Sequence, residues 1–243
     1  MLNRRRFMET TALAAAASLV TGAGRSARPR ALFVCGGWPG HEPFAFRERM
    51  APLLESDGFE VVPADSLDVY ADEALMQSVV VVIQQWTMGE IGDAQAGGLM
   101  RAVRRGVGLA GWHGGLVDSF RNHTDYQFMT GGQFVAHPGG PIDFDVHISN
   151  PDHPITRGLT DFRMTGTEQY YLHFDPAVHV LATTTFSGEH EPGIEGVVMP
   201  VAWTRRFGEG RIFNHTIGHQ VADFDVPQVV EMTRRGVKWA AGR

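Results

Sequence analysis

The sequence predicts an α/β domain built on a doubly wound, mostly parallel sheet with helices on both faces. Three observations predict it. Short apolar runs without polar alternation recur along the first half, as expected of strands covered on both faces. Segments with apolar residues at helical spacing lie between them. Glycine-rich loops follow several of the runs directly. The 243 residues suffice for one such domain with a sizeable core. With 43% hydrophobic and 20% charged residues, the chain falls in the ordinary globular class.

Ala31–Cys35 reads as the first strand. Gly36–Pro43 is a loop rich in glycine and proline, and it opens a helix carrying Phe46, Met50, Leu53 and Leu54. Phe59–Pro63 is the second strand and Ser78–Ile83 the third. After a loop over Thr87–Gly92, Asp93 is read as the cap of a helix running to Arg105 and ended by Gly106. Val107–Trp112 is the fourth strand, too short for a helix. Tyr126–Gly140 holds too many glycines for regular structure and reads as an ordered loop folding back over the site. Ile142, Phe144, Val146 and Ile148 alternate with polar residues, a half-exposed strand with His147 on its polar face. A turn over Asp152–Leu159 and an acidic, aromatic patch over Thr167–His173 follow. Val178–Thr185 is a strand, Pro200–Thr204 and Arg211–His215 pair as a hairpin, and a helix from Pro227 places Val229, Thr233, Val237 and Ala240 on one face.

The start of the chain is of a different kind. Asn3–Met8 fits a twin-arginine export signal, and the apolar run Thr10–Val20 is too short to anchor in a bilayer. Residues 1–29 therefore read as signal and linker, residues 30–243 as the domain, and the expected location is periplasmic or secreted.

Several functions are excluded early. A net charge of −6 gives no reason to expect nucleic acid or an anionic membrane as partner. Cys35 is the only cysteine, so there is neither an internal disulfide nor a thiolate metal cluster, and it reads as a small core residue. No nucleotide-binding fingerprint is present, so no nucleotide cofactor is expected. The unusual count is 11 histidines. His113 ends the fourth strand before Gly114 and Gly115, at the sheet edge where open α/β folds bind ligands. The nearest hydroxyl, Ser119, lacks the G-x-S-x-G context of a hydrolase nucleophile.

The motifs G-L-x-G-x-H-G-G at 108–115, G-G-x-F-x-x-H-P at 131–138, D-H-P-I-T-x-G-L at 152–159, E-x-Y at 168–170, P-V-A-W at 200–203 and G-x-G-R-I-F-x-x-x-x-G-H at 208–219 together resemble the ThuA-like (trehalose-utilization) family. The resemblance implies a flavodoxin-like sheet of the class I glutamine amidotransferase-like superfamily. Amidotransferases carry a nucleophilic cysteine at the turn that here holds His113, so glutaminase chemistry is not expected. The resemblance also implies sugar catabolism passing through 3-keto sugars, with a small carbohydrate as the partner.

On this reading His113 and His219 face one another across the sheet edge, with His137 and Glu168 in loops that close over them. These four are the expected catalytic residues. His113, His137 and His219 are the expected ligands of a divalent metal such as zinc or manganese. The same imidazoles also suit acid–base work beside a carbonyl. Trp38, His41, Trp112, Gly114, Gly115 and Tyr170 are the expected substrate contacts, the aromatics by stacking on a pyranose ring. The alternatives are a non-catalytic sugar-binding protein on the same fold and a metal-independent hydrolase.

Overall fold

The computed structural model describes residues 28–243. The twin-arginine segment lies outside the described residues.

Five strands run parallel: β1 (Arg30–Gly37), β2 (Glu60–Ala64), β3 (Val81–Thr87), β4 (Gly108–Trp112) and β11 (Gly210–His215). Antiparallel strands β10 (Val198–Phe207), β9 (His179–Thr185), β6 (Pro141–Ile148) and β7 (Phe162–Glu168) extend them into one nine-stranded sheet of order β2-β1-β3-β4-β11-β10-β9-β6-β7. Alternate residues of the apolar runs serve opposite faces. Phe33, Cys35, Ile83, Ala110 and Phe213 pack under α1 (Pro43–Ser56) and α6 (Pro227–Ala240). Leu32, Val34, Val82, Leu109 and Ile212 pack under α2 (Glu73–Ser78), α3 (Asp93–Arg104) and α5 (Thr124–Thr130). Burial on both sides is why these strands read as continuous apolar runs.

Two boundaries move. The N-cap of α3 is Gly92 rather than Asp93, because the Gln95 side chain reaches back to the Gly92 N–H at 2.9 Å. Between β2 and β3 the helical connection shrinks to a 3-10 turn and the six residues of α2. None of the described helices is long and apolar enough to cross a membrane.

The main correction concerns residues 126–140. They do not form an irregular loop. The stretch begins within α5, and β5 (Gly132–Ala136) pairs antiparallel with β8 (Tyr171–Phe174). Glycine here serves close packing: a Cβ on Gly132 would come within 2.8 Å of the Trp203 ring. The hairpin-like pair sits over the sheet edge and carries His137 and Tyr170 at its ends.

Candidate active site and metal centre

The parallel strands deliver their side chains to one edge. His41 follows β1, Thr87 ends β3, His113 follows β4 and His219 follows β11. The chain moves to opposite sides of β1 to make β2 and β3, so this edge contains the reversal of strand order at which such sheets bind ligands.

His113 stands in a sharp turn between β4 and a short α4 (Gly114–Val117), with φ 50° and ψ −142°. For a residue with a Cβ this is strained backbone, of the kind that persists where surrounding structure enforces it. Enforcement is visible: the His113 N–H donates to the His215 carbonyl at 2.7 Å, and its own carbonyl accepts from Val117 at 3.2 Å. The side chain is fully buried. Its Nδ1 lies 2.8 Å from the Thr216 carbonyl, which can only accept, so Nδ1 carries a proton.

That Nε2 faces the Glu168 carboxylate at 3.1 Å and the Tyr170 hydroxyl at 2.8 Å. Glu168 Oε2 is also 3.3 Å from His219 Nδ1 and 3.8 Å from His41 Nε2, and Oε1 is 3.5 Å from His137 Nε2. Burial works to raise the Glu168 pKa, but the contacts with His113 and His219 outweigh it and hold the carboxyl well below the usual carboxylate range. Thr167, just before it, is fixed by a 2.7 Å hydrogen bond from its hydroxyl to buried Asp223.

Burial, followed by the neighbouring His113, pushes His41 down to about 3, so its ring is neutral at physiological pH. The adjoining Glu168 carboxylate raises the His219 pKa against the opposing effect of burial. His219 Nδ1 is nevertheless buried without a hydrogen bond of proper geometry.

One ligand atom from each of His41, His113, Glu168 and His219 lies within 4.8 Å of the others. Three imidazole nitrogens and a carboxylate oxygen converge, with the Tyr170 hydroxyl beside them. Such a set is self-repelling unless a proton or a cation lies at its centre. Ligands bonded at about 2.1 Å in a tetrahedron stand roughly 3.4 Å apart, so only a modest contraction is needed. The outer contacts also fit: His113 Nδ1 is tied to Thr216 and His41 Nδ1 lies 2.9 Å from the Thr87 hydroxyl, which fixes ring orientation. The group can hold a metal ion.

The convergence of His113, His219, Glu168 and His137 expected from sequence is present, and the four groups whose ligand atoms lie closest together are His41, His113, Glu168 and His219. His41, expected to touch substrate, is one of these four. His137 is 40% exposed at the rim and meets only Glu168 among the cluster. Trp112 does not face the cleft. It is 1% exposed, edge-on to Phe33 and Phe46 and stacked on His215. Tyr170 is 2% exposed and stacked on His113 with ring centroids 4.1 Å apart, which leaves no face for a sugar ring. Gly114 is buried against His41, and Gly115 against Gln85. Trp38 does stand open, 44% exposed and 4.7 Å from the His41 ring. Thr87 and the Thr216 carbonyl were not anticipated. Their only signal was position, at or beyond the carboxyl ends of β3 and β11. Cys35 is fully buried, and burial pushes its thiol up to about 12.

A sequence model of the ThuA family, described as trehalose utilisation, matches residues 30–240. No curated protein matches the sequence. Among solved structures, a ThuA-like protein from Bacteroides uniformis ATCC 8492 is similar at 18% identity and a TM-score of 0.73, covering 91% of this chain and 94% of that one. A ThuA-like protein from Parabacteroides merdae ATCC 43184 is similar at 14% identity and a TM-score of 0.68, covering 88% and 90%. At these identities the likeness speaks for the fold, and the match of the sequence model over nearly the whole domain speaks for the family. The chain belongs to the ThuA (trehalose utilisation) family.

Proposed function

We propose that this protein is an exported enzyme acting on keto-sugars or glycosides of trehalose-type disaccharide catabolism, by acid–base chemistry at a zinc or manganese centre. The observation that carries the proposal is the buried convergence of His41, His113, Glu168 and His219 on one point. The family description, trehalose utilisation, supports a carbohydrate as substrate. The twin-arginine pattern of residues 3–8 supports export in the folded state.

The chain's own residues divide the work. His41 Nε2, His113 Nε2, His219 Nδ1 and Glu168 would hold the ion. A divalent ion held there would supply Lewis acidity to a sugar oxygen. Thr87 and the Thr216 carbonyl orient two of the rings. His137 Nε2 stands at the open rim, beside Glu168 Oε1, and is placed to take a proton from the carbon next to a keto group. Trp38 offers an exposed indole against which a pyranose can lie.

The test is elemental analysis of the full-length purified protein, followed by turnover of 3-keto-trehalose and 3-keto-glucosides. The expected result is retained zinc or manganese and turnover that His113→Ala and Glu168→Gln abolish. A protein that retains no metal and turns over neither substrate with zinc or manganese added back would refute the proposal.

A further inference from the structure

A buried polar network holds the turn that carries His113. With only four residues, α4 leaves the carbonyls of Gly115 and Leu116 short of partners within the helix. Gln84, fully buried on β3, meets the first: its amide nitrogen lies 3.2 Å from the Gly115 carbonyl, 3.1 Å from Ser119 Oγ and 2.6 Å from the Tyr126 hydroxyl. The Tyr126 hydroxyl donates in turn to the Leu116 carbonyl at 3.0 Å. Gln84 Oε1 accepts from the Tyr70 hydroxyl at 2.8 Å, which fixes the orientation of the amide. The same network reaches Thr87. Ser119 Oγ donates to the Trp86 carbonyl, and the Met88 N–H donates to the Asp118 carbonyl at 2.9 Å. Residues 118–119 thus grip the peptides on either side of Thr87, whose hydroxyl lies 2.9 Å from His41 Nδ1. The backbone around this network is strained. Met88, His113 and Phe120 have φ of 57°, 50° and 49°, and among the described residues only Glu42, next to His41, joins them as a non-glycine residue with positive φ. Strain gathered in this way persists only where surrounding contacts enforce it, and it clusters at functional sites.

We propose that Gln84, Ser119 and Tyr126 form a clamp of positioning residues that holds His113 and, through Thr87, His41 in place for an ion. The proposal rests on the metal-centred reading above. None of the three contributes a ligand atom. The clamp joins the strained turns after β3 and β4 into one unit. Two of the rings are then ordered before an ion arrives, so loosening the clamp lowers affinity without removing a ligand.

The test is a matched pair in the full-length protein, Tyr126→Phe against Tyr70→Phe. Both tyrosines are buried and both bond Gln84, but only Tyr126 also holds an α4 carbonyl. Each variant loses one buried hydroxyl, so the two should show similar falls in Tm. In zinc competition against a chromophoric chelator, Tyr126→Phe should bind about tenfold more weakly than the wild type, while Tyr70→Phe binds as the wild type does. Ser119→Ala, which frees the Trp86 carbonyl, should weaken binding in the same direction. A second readout needs no metal. The Leu116 and Val117 amides both donate to the His113 carbonyl, and their hydrogen exchange should quicken in metal-free Tyr126→Phe but not in Tyr70→Phe. A merely structural role would lower Tm and leave affinity and exchange at their wild-type values. Equal effects of the two tyrosine variants on zinc affinity, wild-type affinity in Ser119→Ala, or unmoved exchange at these amides each overturn this proposal and leave the metal-centred reading standing. A wild type that binds no zinc overturns both.

Discussion

Replacing Gly114 by alanine should disable the proposed metal site without touching any of the four residues His41, His113, Glu168 and His219. A Cβ at this position would lie 2.6 Å from His41 Nδ1, 2.7 Å from its Cε1 and 2.9 Å from Thr87 Cγ2. His41 has no room to withdraw: it is 3% exposed and its ring is enclosed by Trp38, His113 and His219 at centroid distances of 4.7, 4.6 and 5.3 Å. The added methyl must therefore break the 2.9 Å contact between His41 Nδ1 and Thr87 or force the strained turn at His113 open. Overpacking of this kind costs about 1–3 kcal/mol. For a domain of this size that is a fall in Tm of several degrees, at about 2–4 °C per kcal/mol. Loss of the ring's orienting partner should weaken metal binding by roughly 10–100-fold. Thermal unfolding followed by circular dichroism, with zinc competition on the same samples, reads both. Gly97→Ala is the control: within α3 its Cβ meets only the movable tip of Arg101 at 3.0 Å, so stability should be unchanged or slightly raised. Wild-type Tm and zinc affinity in Gly114→Ala would refute the reasoning.

The remaining predictions concern the core and the rim. Burial holds the His215 pKa down to about 3, so the folded state excludes a proton that the unfolded chain takes up near pH 6.5. Its stabilising contribution is complete above about 6.5 and is lost at about 1.4 kcal/mol per pH unit as the pH falls towards 3. Urea unfolding at pH 7 and 5 should show the wild type losing about 2 kcal/mol more than His215→Gln, and equal losses would refute the assignment. Trp112→Ala should cost about 3–5 kcal/mol as a core truncation. Trp38→Ala should cost less than about 1 kcal/mol yet weaken sugar binding measured by calorimetry, and a large loss of stability at Trp38 would contradict its placement at the rim. The Cys35 thiol, buried and pushed up to about 12, should react with a thiol reagent only after denaturant is added.

What the sequence alone determined is what neighbouring residues encode. Runs such as Ala31–Cys35 and Val107–Trp112 announced strands covered on both faces, because no position along them alternates to a charged or strongly polar side chain. His113 and His219 were legible as site residues because each sits where a strand gives way to glycine. What local pattern could not convey was pairing and facing. Residues 132–136 look irregular until Tyr171–Phe174 arrives to satisfy their backbone groups. Trp38 and Trp112 look equally available to a sugar, yet one stands open while Phe33, Phe46 and Phe224 close around the other. His41 and His137 were both candidates, and only the course of the β1–α1 turn and of β5 decided which imidazole joins the buried set and which stays at the rim. A strand is specified by the burial of its own residues. A ligand set is specified by distances between residues from separate strand ends, and only the packed sheet determines those distances.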